Sequence, residues 1–501
     1  MSQPSETFDV IVVGFGYAGA IAAIEAHDAG AAVLLLEKQP DPGGISVCSA
    51  GGLRIAKSAE AAFAYLARTN GGTAPEPVLR SLAEGMTGLA DYVRGLAAST
   101  GAAVGVRDHD ANYPLRGYDT FGFVYVDDIP GFDAARDFPW VRGSPDGARL
   151  FKVVLEEVRR RGRITVRLSA PVERLCRGRD GIEGVVVGGR AIAARRGVVL
   201  ACGGFEGDAE MQRQFWQVKP VLSAAIRSNT GDGIRMAQEI GAGLWHMWHF
   251  HGSYGFRHPD PSYPFGIRLK RLPDWVPGKG LRDNVTMTWI LVDRGGKRFM
   301  NEYEPYMQDT GHRPFETFDP AIQDYPRIPS VLIVDAEGRK RYPLTAPAWH
   351  DAAVAERYRG LTGAALDEVI LTRADSLTEL ARAFDLDPVK LAATVSDWNA
   401  SCAAGQDVRF GRPPGSMLPL RTPPFYGAKV WPVVSNTQGG PVHDEEQRVH
   451  DAFGRPIPGL YAAGECGSVF GHLYMSGGNL AECFIGGRIA GRGAAAGGAS
   501  R

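Results

Sequence analysis

The sequence is poor in several features that would assign it quickly. Net charge is nearly absent: 55 Lys and Arg stand against 56 Asp and Glu, a formal −1 over 501 residues. Nucleic-acid binders show a strong basic excess and membrane-surface binders a basic patch, so both classes are excluded. Cysteines number six (positions 48, 176, 202, 402, 466 and 483) and form no C-x-x-C pair. That excludes a zinc knuckle and a disulfide framework and fits a reduced, intracellular setting. Long apolar runs are also missing. The most apolar stretch, Val10 to Ile24, is broken by three glycines and falls short of the roughly 20 residues of a spanning helix. The first residues lack the basic segment of a signal peptide. The expectation is a cytoplasmic protein with no transmembrane segment. No repeat or low-complexity tract is present.

Glycine is abundant instead, with 64 residues in 501, close to twice the average of about 7%. Without a Gly-x-y period, such an excess points to many close backbone approaches, as around a large bound cofactor. The pattern of elements agrees. Phe8–Val13 is a β-branched run ending in glycine, Tyr17–Ala29 has helical composition and stops at Gly30, and Ala31–Leu36 reads as a second buried strand. This order opens a doubly wound α/β domain. A helical zone follows over 59–98, broken at Pro75 and Pro77, and short strands are expected within 164–168, 184–187 and 197–200. Between about 245 and 432 Pro, Trp and His concentrate and the periodicity weakens. After Val433 the glycine-rich style returns, so the expected organisation is a discontinuous domain (1–244 and 433–501) with an inserted domain (245–432).

Gly14-Phe-Gly16-Tyr17-Ala18-Gly19 is a G-x-G-x-x-G directly after a strand and at the start of a helix. Gly14 permits the turn, Gly16 lets backbone approach a pyrophosphate, and Gly19 allows helix and strand to pack closely. The helix N-terminus offers free N–H groups to the phosphates. Glu37, followed by Lys38, ends the second strand where a ribose hydroxyl needs an acceptor, and its charge repels a 2′-phosphate. Further candidate cofactor residues are Gly43, Gly44, Ile45, Ser46, Ser49, Ala50, Gly51 and Gly52 in the next loop. Val172, Ala201, Cys202, Gly203, Asn229 and Asp232 join them, as do Gly464, Glu465, Gly478, Asn479 and Leu480. Several glycine-rich turns returning to one site suit an enclosed FAD better than a nicotinamide that leaves each cycle.

This set resembles the FAD-dependent fumarate reductase and 3-ketosteroid dehydrogenase superfamily over nearly the whole chain. The matching elements are the N-terminal fingerprint, the Gly43–Gly52 loop and Gly296-Lys-Arg-Phe-Met-Asn-Glu302, with Thr437-Gln-Gly-Gly440 and Ile457-Pro-Gly-Leu-Tyr-Ala-Ala-Gly-Glu465 near the C-terminus. The resemblance implies a Rossmann-like domain holding non-covalent FAD and an inserted α+β catalytic cap over the flavin. It also separates the branches. Fumarate reductases carry an Arg shortly after the Asn-Glu motif and an Asn-Arg-Leu-Gly-Gly-Asn run. Here those places hold Tyr306 and Tyr474-Met-Ser-Gly-Gly-Asn479, and Asn436 stands where a substrate-binding His is expected. Two bidentate-capable contacts to a dicarboxylate are thereby lost.

Ketosteroid dehydrogenases use tyrosines at these places. Desaturating a ketone at its α,β bond needs a polarised carbonyl, an α-proton acceptor and a hydride acceptor. The resemblance implies that the Tyr474 hydroxyl and the Gly478 N–H polarise the carbonyl, Tyr306 takes the α-proton and Ser476 relays a proton, with the roles of the two tyrosines open to exchange. A phenol with a reference pKa near 10 is a poor base at neutral pH, so the site must lower that value or enolise the ketone first. Trp248, His251, Tyr254 and Phe256 are read as the substrate wall, which fits a bulky or alicyclic ketone, while Arg268, Lys270 and Arg271 leave room for a carboxylate. His246, His249 and His251 lack a nearby acidic or Cys ligand, so no metal is expected. The runner-up activity is an enone or enoate reductase using the same site in reverse, and the non-enzymatic alternative is an FAD-holding binding module. No C-x-x-C-H haem motif is present, so electrons pass to a separate acceptor: a quinone, a carrier or oxygen.

Overall fold

The computed structural model describes residues 6–269, 286–303 and 311–497, with the backbone of two short strands at 275–276 and 280–281. Tyr306, Lys270 and Arg271 lie outside the described residues. The β-branched run of the N-terminus forms the strand Glu6–Val13, at the centre of an eight-stranded sheet. It pairs in parallel with Val33–Leu36 on one side and Arg190–Leu200 on the other. Ile164–Arg167 and Pro456–Ala462 extend the parallel array outward, and Arg448–His450 closes one edge. The strands Val172–Arg177 and Ile182–Val187 pair antiparallel with each other, and the second of them joins Arg190–Leu200.

Both faces of this sheet are covered, which explains why its strands are unbroken apolar runs rather than alternating ones. Val10 and Val12 point into one apolar cluster and Ile11 and Val13 into another on the opposite face. The first face receives the helix Tyr17–Asp28, buried from Tyr17 through Ala26. Against it lies the C-terminal helix Gly478–Ala496. The two approach so closely that a Cβ on Gly487 would stand 2.7 Å from the Ala18 carbonyl oxygen, and one on Gly491 2.3 Å from that of Ala22. The small residues of both helices are therefore a packing requirement. The helical zone resolves into Ala59–Asn70, Glu76–Thr87 and Leu89–Ala97, with Pro75 capping the second of these. A three-stranded antiparallel sheet joins Leu53–Ala56, Phe121–Asp128 and Ala103–Asp108.

A second eight-stranded sheet runs Ile290–Val292, Ser330–Asp335, Phe425–Thr437, Phe250–Arg257, Gly266–Leu269 and Thr345–Ala346, with Leu222–Ser223 and Thr372–Ala374 beside the long central strand. One of its faces buries Tyr254, Phe256, Ile267 and Leu269 in a separate apolar cluster. The opposite face of the same strands looks toward the first sheet. A bulge between His251 and Gly252, opposite Ser435, sits on that side.

Candidate functional site

One cavity runs between the C-terminal ends of the first sheet's strands and the inward face of the second, with about 1660 Å³ of empty space counting its open mouth. Ligands in open α/β sheets bind at this end of the strands. Its floor begins at Gly14, whose φ of +102° belongs to the left-handed half of conformational space. A Cβ there would stand 2.4 Å from the Ala201 carbonyl oxygen. Gly19 is tighter still, because its Cβ would fall 1.8 Å from the Gly14 carbonyl oxygen. The helix Tyr17–Asp28 thus starts with its open N–H groups directly at the cavity. Glu37 accepts hydrogen bonds from the N–H groups of Phe15 and Gln39, both at 2.9 Å. Burial holds its carboxyl above the usual carboxylate range despite these donors. Lys38 donates to Asp232 at 2.6 Å and to Thr230 at 2.8 Å, tying the second strand to the helix Asp232–Glu239. Ser46 accepts from the Tyr17 N–H at 3.2 Å. A phosphate-sized cradle beside a helix N-terminus, with an acidic residue at the second strand's end, fits the ADP half of FAD.

The wall includes Gly14, Gly16, Tyr17, Ala18, Glu37 and Lys38, then Gly44, Ile45, Ser46, Ser49, Ala50 and Gly52. Val172, Ala201, Cys202, Gly203, Asn229, Asp232, Glu465, Asn479 and Leu480 complete the cofactor set that the structure brings together. Gly19, Gly43, Gly51, Gly464 and Gly478 do not face the cavity. They sit behind it, where a side chain would meet neighbouring atoms such as Gly14 O, Val47 Cβ, Asp146 O, Ala18 Cβ and the Phe470 ring.

Three buried glutamates stand at or behind the cavity wall. Glu465 accepts from the Thr437 N–H at 2.7 Å, and Asn229 donates to Glu206 at 2.7 Å and to Glu465 at 3.4 Å. Burial raises both carboxyls; the Glu465 charge pushes Glu206 well above the carboxylate range, while hydrogen bonds from Thr437 and Glu206 hold Glu465 to about 7. Glu482 accepts from the Val469 N–H at 2.7 Å, and burial pushes it up to about 7.

Away from the glycine turn the wall is built from side chains. Tyr474 is buried, its ring 4.0 Å from that of His251 and edge-on to Phe470 at 5.3 Å. Ser476 shares this wall, its carbonyl accepting from Arg54 Nε at 2.8 Å. The His251 ring is oriented by a chain of amides. Asn479 donates to Gln438 and Glu482, both at 3.1 Å, so its own oxygen accepts from Asn436 Nδ2 at 3.1 Å. The Asn436 oxygen is then the acceptor facing His251 Nδ1 at 3.0 Å. The network places a proton on Nδ1, donated to the Asn436 oxygen.

Several expectations change here. The Gly478 N–H donates to the Met475 carbonyl at 2.8 Å, closing the turn into the C-terminal helix, and so is engaged rather than presented to a ketone. Tyr254 and Phe256 are fully buried on the core face of their strand, because alternation sends residues 250, 254 and 256 away from the cavity that His251 faces. Trp248 does not line the cavity either. It is 45% exposed and packs on His472 with ring centroids 4.9 Å apart. His251 alone of those four belongs to the wall. His246 and His249 have their own partners, Ser468 O at 2.8 Å and Arg313 at 3.4 Å. Among the described residues no three His, Cys, Asp or Glu side chains converge as metal ligands. Tyr113 and Tyr118 pack against the core, whereas Tyr125 reaches the cavity, its hydroxyl 2.6 Å from where a Cβ on Gly52 would stand. The signal for it was the alternation Phe121-Gly-Phe-Val-Tyr125, which puts Phe123 and Tyr125 on one face.

A family model described as an FAD binding domain matches residues 9–480. The chain belongs to that family. It is an FAD-dependent oxidoreductase, and the glycine cradle above fits the dinucleotide. It is similar to a solved structure of 3-ketosteroid Δ1-dehydrogenase from Sterolibacterium denitrificans in complex with 1,4-androstadiene-3,17-dione. That likeness has a TM-score of 0.79 at 25% identity, over 99% of this chain and 100% of the other. It is 28% identical to the 4-oxocyclohexanecarboxylate 2-dehydrogenase of Sinomonas cyclohexanicum, over 93% of this chain and 88% of that one. It is also 28% identical to a fumarate reductase (cytochrome) of Shewanella frigidimarina, over 99% of this chain and 78% of that one. Among the described residues no helix is long and apolar enough to cross a membrane.

Proposed function

We propose that this flavoenzyme desaturates a cyclic ketone at its α,β bond and passes the electrons to a separate acceptor. The observation that carries the reading is the flavin end of the cavity. Phenol, hydroxyl and imidazole groups (Tyr474, Tyr125, Ser476 and His251) meet there, where a dicarboxylate reductase needs arginines. Bound FAD supplies the hydride acceptor. Tyr474 polarises the ketone oxygen through a hydrogen bond from its hydroxyl, and a base takes the α-proton as the β-hydride leaves. Tyr306 is the base implied by the family resemblance. His251, tied to Asn436 through Nδ1, packs on the Tyr474 ring and orients its hydroxyl. Ser476 passes the proton outward. With the Gly478 N–H engaged, Tyr125 is the second donor to the carbonyl. Residues 245–432 act as the cap over this site, and the long strand Phe425–Thr437 connects the two sides.

Anaerobic mixing of the yellow protein with cyclohexanone, 4-oxocyclohexanecarboxylate and a saturated 3-ketosteroid tests this directly. Loss of the oxidised flavin band with one ketone class, and the matching enone as product, is the expected result. If no ketone bleaches the flavin but enones or enoates reoxidise the chemically reduced protein, the reaction runs as a reduction. The similarity to fumarate reductase supports that second direction.

A further inference from the structure

The turn that carries Tyr474 is gripped from behind by a side chain that the chemistry proposed above leaves unused. Arg54 belongs to the strand Leu53–Ala56 and is fully buried, behind the cavity wall rather than in it. A buried charge is costly unless its donors are satisfied, and Arg54 gives them to backbone oxygens. Its Nε donates to the Ser476 carbonyl at 2.8 Å. One terminal nitrogen donates to the His109 carbonyl at 2.8 Å and to that of Asp110 at 3.4 Å. The guanidinium also stands 3.9 Å from the centre of the Phe123 ring, its cross-strand neighbour, where the ring face attracts a cation.

The main chain of the same strand holds the next link of the turn. The Arg54 N–H donates to the Gly477 carbonyl at 3.2 Å, and Asn112 Oδ1 accepts from the Ser476 N–H at 3.4 Å. Gly477 has a φ of +74°, and a Cβ on it would stand 2.5 Å from the Gly52 carbonyl oxygen and 2.6 Å from the Phe123 ring. The turn is thus pressed against the strand at two consecutive residues, and Tyr474 sits two residues before the first of them. A planar guanidinium fixes the direction of each of its donors. Arg54 therefore sets where the Ser476 carbonyl points, and with it the backbone from which the Tyr474 side chain leaves. Phe123, under the same guanidinium, is part of the cavity wall.

We propose that Arg54 is a positioning residue for the reaction: it clamps the turn 474–478 to the strand Leu53–Ala56 and so fixes the direction of the Tyr474 hydroxyl. The proposal rests on the reading of Tyr474 as the group that polarises the ketone.

The test is a double-mutant cycle on the anaerobic bleaching of the flavin by a cyclic ketone, or on its reoxidation by the enone where the reaction runs that way. Arg54→Lys keeps the charge without the planar fork, and Arg54→Met keeps the length without the charge. Each should retain FAD and slow the reaction about 10–100-fold, the usual worth of a hydrogen bond from a charged group. In a Tyr474→Phe background the same changes should cost no more than about twofold, because the hydroxyl they position is gone. An arginine that only holds the fold together slows both backgrounds by the same factor, and that result overturns the proposal. Unchanged rates in both variants, or loss of FAD from both, overturn it too. Hydrogen exchange of the wild-type holoprotein needs no variant to fold. The N–H groups of Ser476 and Gly478 should be protected, and exchange at the rate of an open loop overturns the clamp. Protection that is lost in Arg54→Lys, in a protein that neither ketones nor enones affect, leaves the clamp standing and removes the ketone reading.

Discussion

The two walls of the cavity are built in opposite ways. The wall from the first sheet is backbone: Gly14 and Gly16 at the turn, the open end of the helix Tyr17–Asp28, and carboxylates pinned by N–H groups. The wall from the second sheet is side chains: His251, Asn436 and Arg268, set by which face of a strand they occupy. A backbone site is written in a few consecutive residues, since only glycine fits where Cβ would collide. A side-chain site depends on register, and a shift of one residue reverses it.

The contrast is sharpest if broken from the backbone side. Gly19→Ala puts a methyl 1.8 Å from the Gly14 carbonyl oxygen, so the helix must move and the phosphate cradle with it. The expected outcome is colourless protein and FAD affinity reduced at least about 100-fold, a cost of a few kcal/mol in the range of severe backbone strain. The ratio of flavin to protein absorbance after purification checks it. On the other wall, Asn436→Leu removes the acceptor of the His251 Nδ1 proton while keeping volume. FAD should be retained, and turnover should fall roughly tenfold, the worth of one buried hydrogen bond. The pH profile should change shape as well, because the tautomer is no longer imposed.

A third effect concerns stability. Burial holds Glu482 protonated up to about pH 7, whereas in the unfolded chain it ionises near 4.3. Between those values the native state binds more protons than the unfolded one, so stability falls as pH rises from about 4.5 to 7 and levels off above. Glu206 and Glu465 act in the same direction. A thermal midpoint that drops over this window, with a shallower drop in Glu482→Gln, is the expected result.

The same contrast explains what could be read in advance. The dinucleotide turn, the parallel strands and the residues at their C-terminal ends were legible because each is a local pattern with one physical cause. Trp248, Tyr254 and Phe256 were read as a substrate wall from their composition. Composition does not say which side of a strand faces the cavity, and alternation puts Tyr254 and Phe256 in the core. Tyr125 was missed because it reaches the cavity from a three-stranded sheet whose pairing is non-local. The Gly478 N–H was assigned to the substrate because a motif names the residue, not the bond its N–H already makes to Met475.

The most direct test is the single-turnover rate of flavin bleaching by a cyclic ketone in the wild type, in Tyr474→Phe and in Trp248→Ala. Tyr474→Phe should keep its FAD and slow bleaching by about 10²–10³-fold, as for loss of a positioned proton donor. Trp248→Ala, on the exposed side, should stay within a few-fold of the wild type. Bleaching of Tyr474→Phe at the wild-type rate, or a large loss in Trp248→Ala alone, would contradict the placement of the chemistry on the tyrosine and histidine wall.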